Sequence, residues 1–472
     1  MNLLEQNTGL YTDYYEFTMA QGYYLVGKAS APACFDYFFR SNPFDGGYVI
    51  FAGLDDLLTA VEHYRFGAEE LEYFASLGLD PRFLNFLKTF EFRGTITSVR
   101  EGEVVFPMEP VVRVEGTIIE TQLIETILLN LLNFESLIAT KASRVRIAAA
   151  DKRVVDFGLR RAQGLGGVHA TRAAIIGGID ATSNVSAAHS YGLEVSGTQA
   201  HSWIQSFDSE LAAFRKFAEV FPDRTYLLVD TYDTLRSGVP NAITVGKELE
   251  QAGKKLLGIR LDSGDLAYLS KHARAMLDAS GLSYVRIVAS NQLDEYVIRS
   301  LMEQEAPIDA FGVGTRLVTG QSSAALDGVY KLSAFDGQPR LKFSENFSKI
   351  TLPGEKVIHR FSNRDGMFYA DGIALASEST LGVIHHPMFT EARSSLKGHP
   401  SELLMHTVMD HGKRLVSASV DDSARYARTR LAKLHAEHQR FENPHVYKVG
   451  ISDVLLKMRT ELINGFYENH ES

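Results

Sequence analysis

The feature that most constrains the fold lies between residues 153 and 332, where short apolar runs rich in Val, Ile and Leu alternate with helical stretches. The runs fall at 153–157, 193–196, 226–230, 256–262, 285–290, 309–313 and 329–332. Helical patterns at 168–176, 182–190, 208–219, 243–253, 266–279 and 292–304 separate most of them. Strands covered on both faces read as continuous apolar runs, and strand–helix–strand successions make parallel sheets. Seven such strands predict an irregular seven-stranded β/α barrel rather than an open sheet.

The flanks have a different texture. Thr12 or Asp13 can cap a first helix bearing Tyr14, Tyr15, Phe17 and Met19. Strand patterns over 32–51 surround a turn at 42–47, helical patterns follow at 53–64, 68–76 and 81–89, and strand-like runs occupy 92–99 and 103–114. From 121 to 150, Leu123, Ile124, Ile127, Leu128, Leu131, Leu132, Leu137 and Ile138 recur at helical spacing, which predicts one or two long buried helices. Beyond 340 come strand-like pieces at 340–343, 356–361 and 367–375, then helices at 421–437 and 450–463. The chain therefore reads as α/β, with an α+β domain over 1–140, the β/α barrel over 141–340, and a segment 341–472 that returns to the first domain.

Charge narrows the partners. Lys and Arg number 48 against 58 Asp and Glu, a net charge of −10 without blocks of one sign, which argues against nucleic acid or an anionic membrane surface and leaves small molecules. The single Cys34 excludes an intramolecular disulfide framework and any multi-cysteine zinc or iron–sulfur site. The first basic residue, Lys28, follows Glu5, Asp13 and Glu16, so the start lacks a signal-peptide pattern. No apolar run is long enough to span a bilayer, and a cytoplasmic location is expected.

Parallel β/α proteins do chemistry at the carboxyl ends of their strands. There this chain carries Asp156, Phe157 and Arg160; Ser196, Thr198 and His201; Asp230, Thr231 and Asp233; Arg260, Asp262, Ser263 and Asp265; Ser290 and Asn291; and Gly312, Gly314, Thr315 and Arg316. The glycine loop at 312–316 can offer backbone N–H groups and the Thr315 hydroxyl to a phosphate. Asp230 and Asp262 are hard oxygen ligands suited to Mg²⁺ held together with substrate phosphates, or else caps of the next helices. Arg160 and Arg260 offer planar forks to a carboxylate or phosphate, or pair with an acid. His201 suits a general base, a phosphorylated nucleophile or a plain hydrogen-bonded histidine; lacking a second histidine at ligand spacing, it is least suited to a metal. Together these residues point to an anionic, phosphorylated, magnesium-bound substrate.

Seven motifs, in order, resemble those of nicotinate phosphoribosyltransferases. They are Thr12-Asp-Tyr-Tyr-Glu-Phe-Thr-Met-Ala-Gln-Gly22, Val155-Asp-Phe-Gly-Leu-Arg-Arg161, Asp180-Ala-Thr-Ser-Asn184, Gly197-Thr-Gln-Ala-His-Ser-Trp203, Val229-Asp-Thr-Tyr-Asp233, Gly258-Ile-Arg-Leu-Asp-Ser-Gly-Asp265 and Phe311-Gly-Val-Gly-Thr315. The resemblance implies a type II phosphoribosyltransferase fold and a homodimer with active sites at the subunit interface. It also implies a reaction in which nicotinate and phosphoribosyl pyrophosphate give nicotinate mononucleotide and pyrophosphate, with ATP hydrolysed as co-substrate and Mg²⁺ present.

By the same resemblance His201 is the histidine that ATP phosphorylates, and Asp230 the acid that supports it. Phe157 and a partner subunit's Tyr15 sandwich the pyridine ring, Arg260 meets the ring substituent, Arg160 binds phosphate, and Asp262 sits beside the ribose and pyrophosphate. Gly314 and Thr315 cradle the 5-phosphate, while Ser196 and Thr198 belong to the turn that positions His201 and are read as phosphate-binding. The related nicotinamide enzyme places an acid where this chain has neutral Thr182 or Ser183, which favours a carboxylate substituent. The C-terminal tail lacks the cysteine cluster of some relatives, so no structural zinc is expected.

Overall fold

The computed structural model describes residues 8–343 and 350–468. It divides into one unit made of Met1–Leu137 with Ala325–Ser472 and a second made of Ile138–Ala324. The first division falls inside the helix Glu125–Ala149, which carries the apolar periodicity noted above.

The first unit is built on a seven-stranded sheet. Its strand Pro32–Phe39 lies antiparallel to both Val112–Thr117 and Gly328–Phe335, with Tyr37 opposite Val112 on one side and Tyr330 on the other. The run at 329–332 was expected as a barrel strand and belongs here instead. Tyr330 is fully buried, and its ring stacks on Phe35 at 4.8 Å. Helices Tyr14–Leu25, Leu54–Glu62, Ala68–Ser76 and Pro81–Leu87 stand where the sequence placed them. Phe17, Leu57, Leu58, Phe83, Leu128 and Leu132 join the sheet's inner face in one apolar core. The C-terminal residues add a six-stranded sheet of Arg393–Ser395, Val383–His385, Val449–Ile451, Phe368–Leu375, Lys356–Ser362 and Ser401–Leu403, in that spatial order.

The second unit carries the parallel sheet. Its strands are β1 (Arg153–Asp156), β2 (Ala181–Thr182), β3 (Tyr226–Leu228), β4 (Gly258–Leu261), β5 (Arg286–Ser290) and β6 (Ala310–Val313), in the spatial order β2-β1-β6-β5-β4-β3. The expected seven-stranded barrel is not found, and no closed barrel forms among the described residues. The expected strand at 193–196 contributes a single parallel bridge, Val195 to Thr182. Glu194 and Val195 are exposed, and Glu194 pairs with Arg153 at 2.5 Å, so the segment lacks the two buried faces that a full parallel strand needs. Between it and β3, one side-chain hydrogen bond, Gln199 Nε2 to the Tyr226 carbonyl at 3.0 Å, crosses the gap. Among the described residues no helix is long and apolar enough to cross a membrane.

Candidate active site

The strand ends of the second unit surround a cavity of about 460 Å³. Phe157, Arg160, Ser183, Thr198, Arg260, Asp262, Ser290, Asn291, Gly312, Gly314, Thr315 and Arg316 line it, so twelve residues singled out in the sequence meet there.

Phe157 continues β1, its N–H donating to the Val313 carbonyl at 2.8 Å. Its ring lies over Gly312, where an added Cβ would come within 2.3 Å of two ring carbons. Only a residue without a side chain admits the ring in this position. Directly before Phe157, Asp156 is fully buried. It accepts from the Gly158 N–H and from the hydroxyls of Thr171 and Thr182, each at 2.8 Å. Burial raises its carboxyl above the usual range against the pull of these three donors. Thr182 is therefore occupied in fixing the strand end and has no exposed surface, whereas Ser183 faces the cavity. Ser196 stands outside the lining, its N–H bonded to the Thr182 carbonyl at 2.8 Å.

Arg260 projects from β4. Its Nη1 donates to Thr198 Oγ1 at 2.7 Å, its Nη2 lies 3.9 Å from Asp262 Oδ2, and its buried Nε has no partner. Burial lowers this guanidinium's pKa, with Arg160 pushing the same way and Asp262 and Asp230 opposing. An open donor on a desolvated guanidinium is a receptor for an anion.

Asp230 follows β3 and accepts, through Oδ2, from the Asp262 N–H at 2.8 Å and the Ser263 hydroxyl at 2.6 Å. Its Oδ1 is buried without a partner. Asp262 accepts from the Ser290 hydroxyl through Oδ1. His201 opens the helix His201–Gln205, with Nδ1 3.1 Å from Thr231 Oγ1 and Nε2 3.8 Å from Asp262 Oδ2. The hydroxyl beside Nδ1 thus belongs to Thr231, and Asp230, to which the resemblance gave that place, is turned to the backbone of Asp262. The orphan Oδ1 of Asp230 and the Oδ2 of Asp262 are hard oxygen atoms at adjacent strand ends, and they fit a divalent cation.

Gln292 was missed in the sequence, where a single loop amide beside Asn291 carries no motif. Asn291 and Gln292, after β5, both have positive φ, 82° and 52°, and both line the cavity. Non-glycine residues held there concentrate at functional loops. Arg316 pairs with Asp294, which also caps the helix Glu295–Glu303 through the N–H groups of Tyr296 and Val297. Asp233 and Asp265 cap the segments after them. Tyr15 stands on Tyr14–Leu25 in the first unit, 46% exposed, and is not among the cavity's residues. Burial and the charges of Glu125 and Glu16 raise its phenol.

A parallel β/α unit that gathers acids, guanidinium groups and an aromatic face at its strand ends defines an enzyme of small anionic substrates. Residues 10–133, 152–360 and 355–459 match the nicotinate phosphoribosyltransferase (NAPRTase) N-terminal domain, family and C-terminal domain respectively. The chain belongs to the nicotinate phosphoribosyltransferase family. It is 40% identical to the nicotinate phosphoribosyltransferase of Bacillus subtilis, over 95% of this chain and 94% of that one. Against that of Caenorhabditis elegans the identity is 37%, over 94% and 92% of the two chains. The crystal structure of human nicotinic acid phosphoribosyltransferase superposes with a TM-score of 0.87 at 31% identity, covering 96% of this chain and 99% of the human one.

Proposed function

We propose that the chain transfers the phosphoribosyl group of phosphoribosyl pyrophosphate to nicotinate, giving nicotinate mononucleotide and pyrophosphate in the synthesis of NAD. The observation that carries this reading is the cavity in which an aromatic ring, Phe157, stands beside a guanidinium with an open Nε, Arg260, and a glycine turn, Gly314 and Thr315. Phe157 offers a flat face that holds the pyridine ring, and Arg260 a donor for its carboxylate. Neutral Ser183 at the wall favours that carboxylate over an amide. The pyridine nitrogen is already a nucleophile, so the residues orient it rather than deprotonate it. Its lone pair attacks the anomeric carbon as the bond to the pyrophosphate oxygen breaks. Gly314, Thr315 and Arg160 suit the 5-phosphate and pyrophosphate oxygens, and Thr198 holds Arg260 in place. Asp230 and Asp262 would hold a magnesium ion, which when bound supplies positive charge to the leaving pyrophosphate.

ATP is the co-substrate in this reading, and His201 the residue that takes its γ-phosphoryl group. Ser196 lies in the turn before it. The enzyme is a cytoplasmic homodimer in which a partner subunit's first helix brings its tyrosine, the counterpart of Tyr15, to the ring's second face. Protein given nicotinate, phosphoribosyl pyrophosphate, magnesium and ATP is expected to form nicotinate mononucleotide, read by chromatography. Turnover of nicotinamide with none of nicotinate overturns the assignment. An ATP-stimulated rate that survives His201→Ala removes the phosphohistidine while leaving the transfer reaction standing.

A further inference from the structure

The first unit holds a second cavity, of about 350 Å³, that the proposed reaction does not use. It forms around the antiparallel pair Val383–His385 and Arg393–Ser395 and is walled by Asn42, His385, His386, Arg393 and Lys448, with Met108 and Met388 among its apolar residues. No Asp or Glu is among its lining residues. In a chain of net charge −10, such a wall selects for negative charge.

The hydrogen bonds fix what the wall presents. His386 Nδ1 accepts from the N–H groups of Met388 and Phe389, at 3.1 and 3.0 Å. An Nδ1 that accepts leaves the ring proton on Nε2, so His386 offers a donor. His385 has acceptors at both nitrogens, the Thr390 carbonyl at 2.9 Å and Asp453 Oδ1 at 2.7 Å. These two bonds raise its pKa above the usual histidine range.

Arg393 is the cross-strand partner of His385. Neither Arg393 nor Lys448 is ion-paired with a carboxylate among the described residues. The Lys448 ammonium rests 4.5 Å from the centre of the Tyr369 ring. Asn42 Oδ1 is buried with no partner, an amide end that the protein itself leaves unsatisfied.

We infer that this cavity binds a small phosphorylated ligand, whose phosphate is received by Arg393, Lys448 and the Nε2–H of His386. Asn42 meets a polar group on the remainder of the ligand. Guanidinium and ammonium groups give charge-assisted bonds to phosphate, and the volume lies in the range of small-molecule sites. The two methionines are flexible walls that adapt to the ligand's apolar part.

Isothermal titration of the full chain with AMP and, separately, inorganic phosphate tests this, using wild type, the double variant R393Q/K448Q and R260Q. AMP is expected to bind wild type and R260Q alike and the double variant at least about tenfold more weakly. The double variant's rate of mononucleotide formation without AMP is expected to be unchanged. Phosphate that binds with the same pattern across the variants also supports the site. Binding of AMP that is lost in R260Q, or weakened equally in both variants, overturns the inference. So does the absence of binding by both probes up to about 1 mM. The outcome does not depend on the proposed reaction, because the R260Q arm alters the cavity of that reaction and leaves this one intact.

Discussion

Asp230 and Thr231 are neighbours in the chain, yet they take different partners. Thr231 meets His201 Nδ1 at 3.1 Å, while Asp230 Oδ2 receives the Asp262 N–H and the Ser263 hydroxyl. A neutral hydroxyl thus meets Nδ1, while the Asp262 carboxylate lies 3.8 Å from Nε2. On the phosphohistidine reading, Thr231 orients the imidazole so that Nε2 faces the phosphoryl donor. Thr231→Val keeps the shape and removes one hydrogen bond, about 1 to 1.5 kcal/mol, or roughly tenfold in rate. Acid-labile phosphate formed from ATP should fall by about that factor, with the KM for nicotinate unchanged, and Thr231→Ser should restore it. Equal phosphorylation of the valine variant would remove this role. The sequence put His201, Asp230 and Thr231 at strand ends, but spacing alone does not say which of two adjacent side chains faces a histidine from another strand.

At the scale of elements, the parallel strands were legible because burial on both faces writes an uninterrupted apolar run, as in β3 and β6. Two residues of β2, Ala181 and Thr182, are too few to show any period. The run at 329–332 also reads as a strand, yet its pattern carries no record of its partner, and it pairs with Pro32–Phe39 some 300 residues away in sequence. Gly312 in β6 was read as a phosphate-loop glycine, and its geometric necessity is the ring of Phe157. Gly312→Ala forces that ring to move, and overpacking of this kind costs about 1 to 3 kcal/mol. The KM for nicotinate should rise about tenfold or more, with a smaller change in kcat. Steady-state kinetics reads this, and far-UV circular dichroism should be unchanged. An alanine enzyme with wild-type KM would show that Phe157 does not position the substrate.

The molecule as a whole depends on residues distant in sequence closing the first unit, and a buried arginine makes that closure. Arg360 has no exposed surface. It donates to Glu103 at 2.6 Å, to Asp371 at 2.5 and 2.9 Å and to the Val104 carbonyl at 2.7 Å, with its guanidinium 4.3 Å from the Phe368 ring. Arg430 adds a second bond to Glu103 at 2.8 Å. Beside them Glu109 is buried, and its carboxyl is raised by burial and by the charge of Asp371. A pairing across 257 positions leaves no local pattern in the sequence to read. Arg360→Met keeps the volume and leaves Asp371 and Glu103 short of their counter-charge in a dry interior. The loss should be about 3 to 5 kcal/mol, the range for breaking a buried pair, against a smaller loss for Arg430→Met because Arg360 still holds Glu103. Urea unfolding of the two variants measures the difference. Midpoints equal to that of the wild type would mean that the apolar core alone, and not this ion network, joins the N-terminal and C-terminal parts.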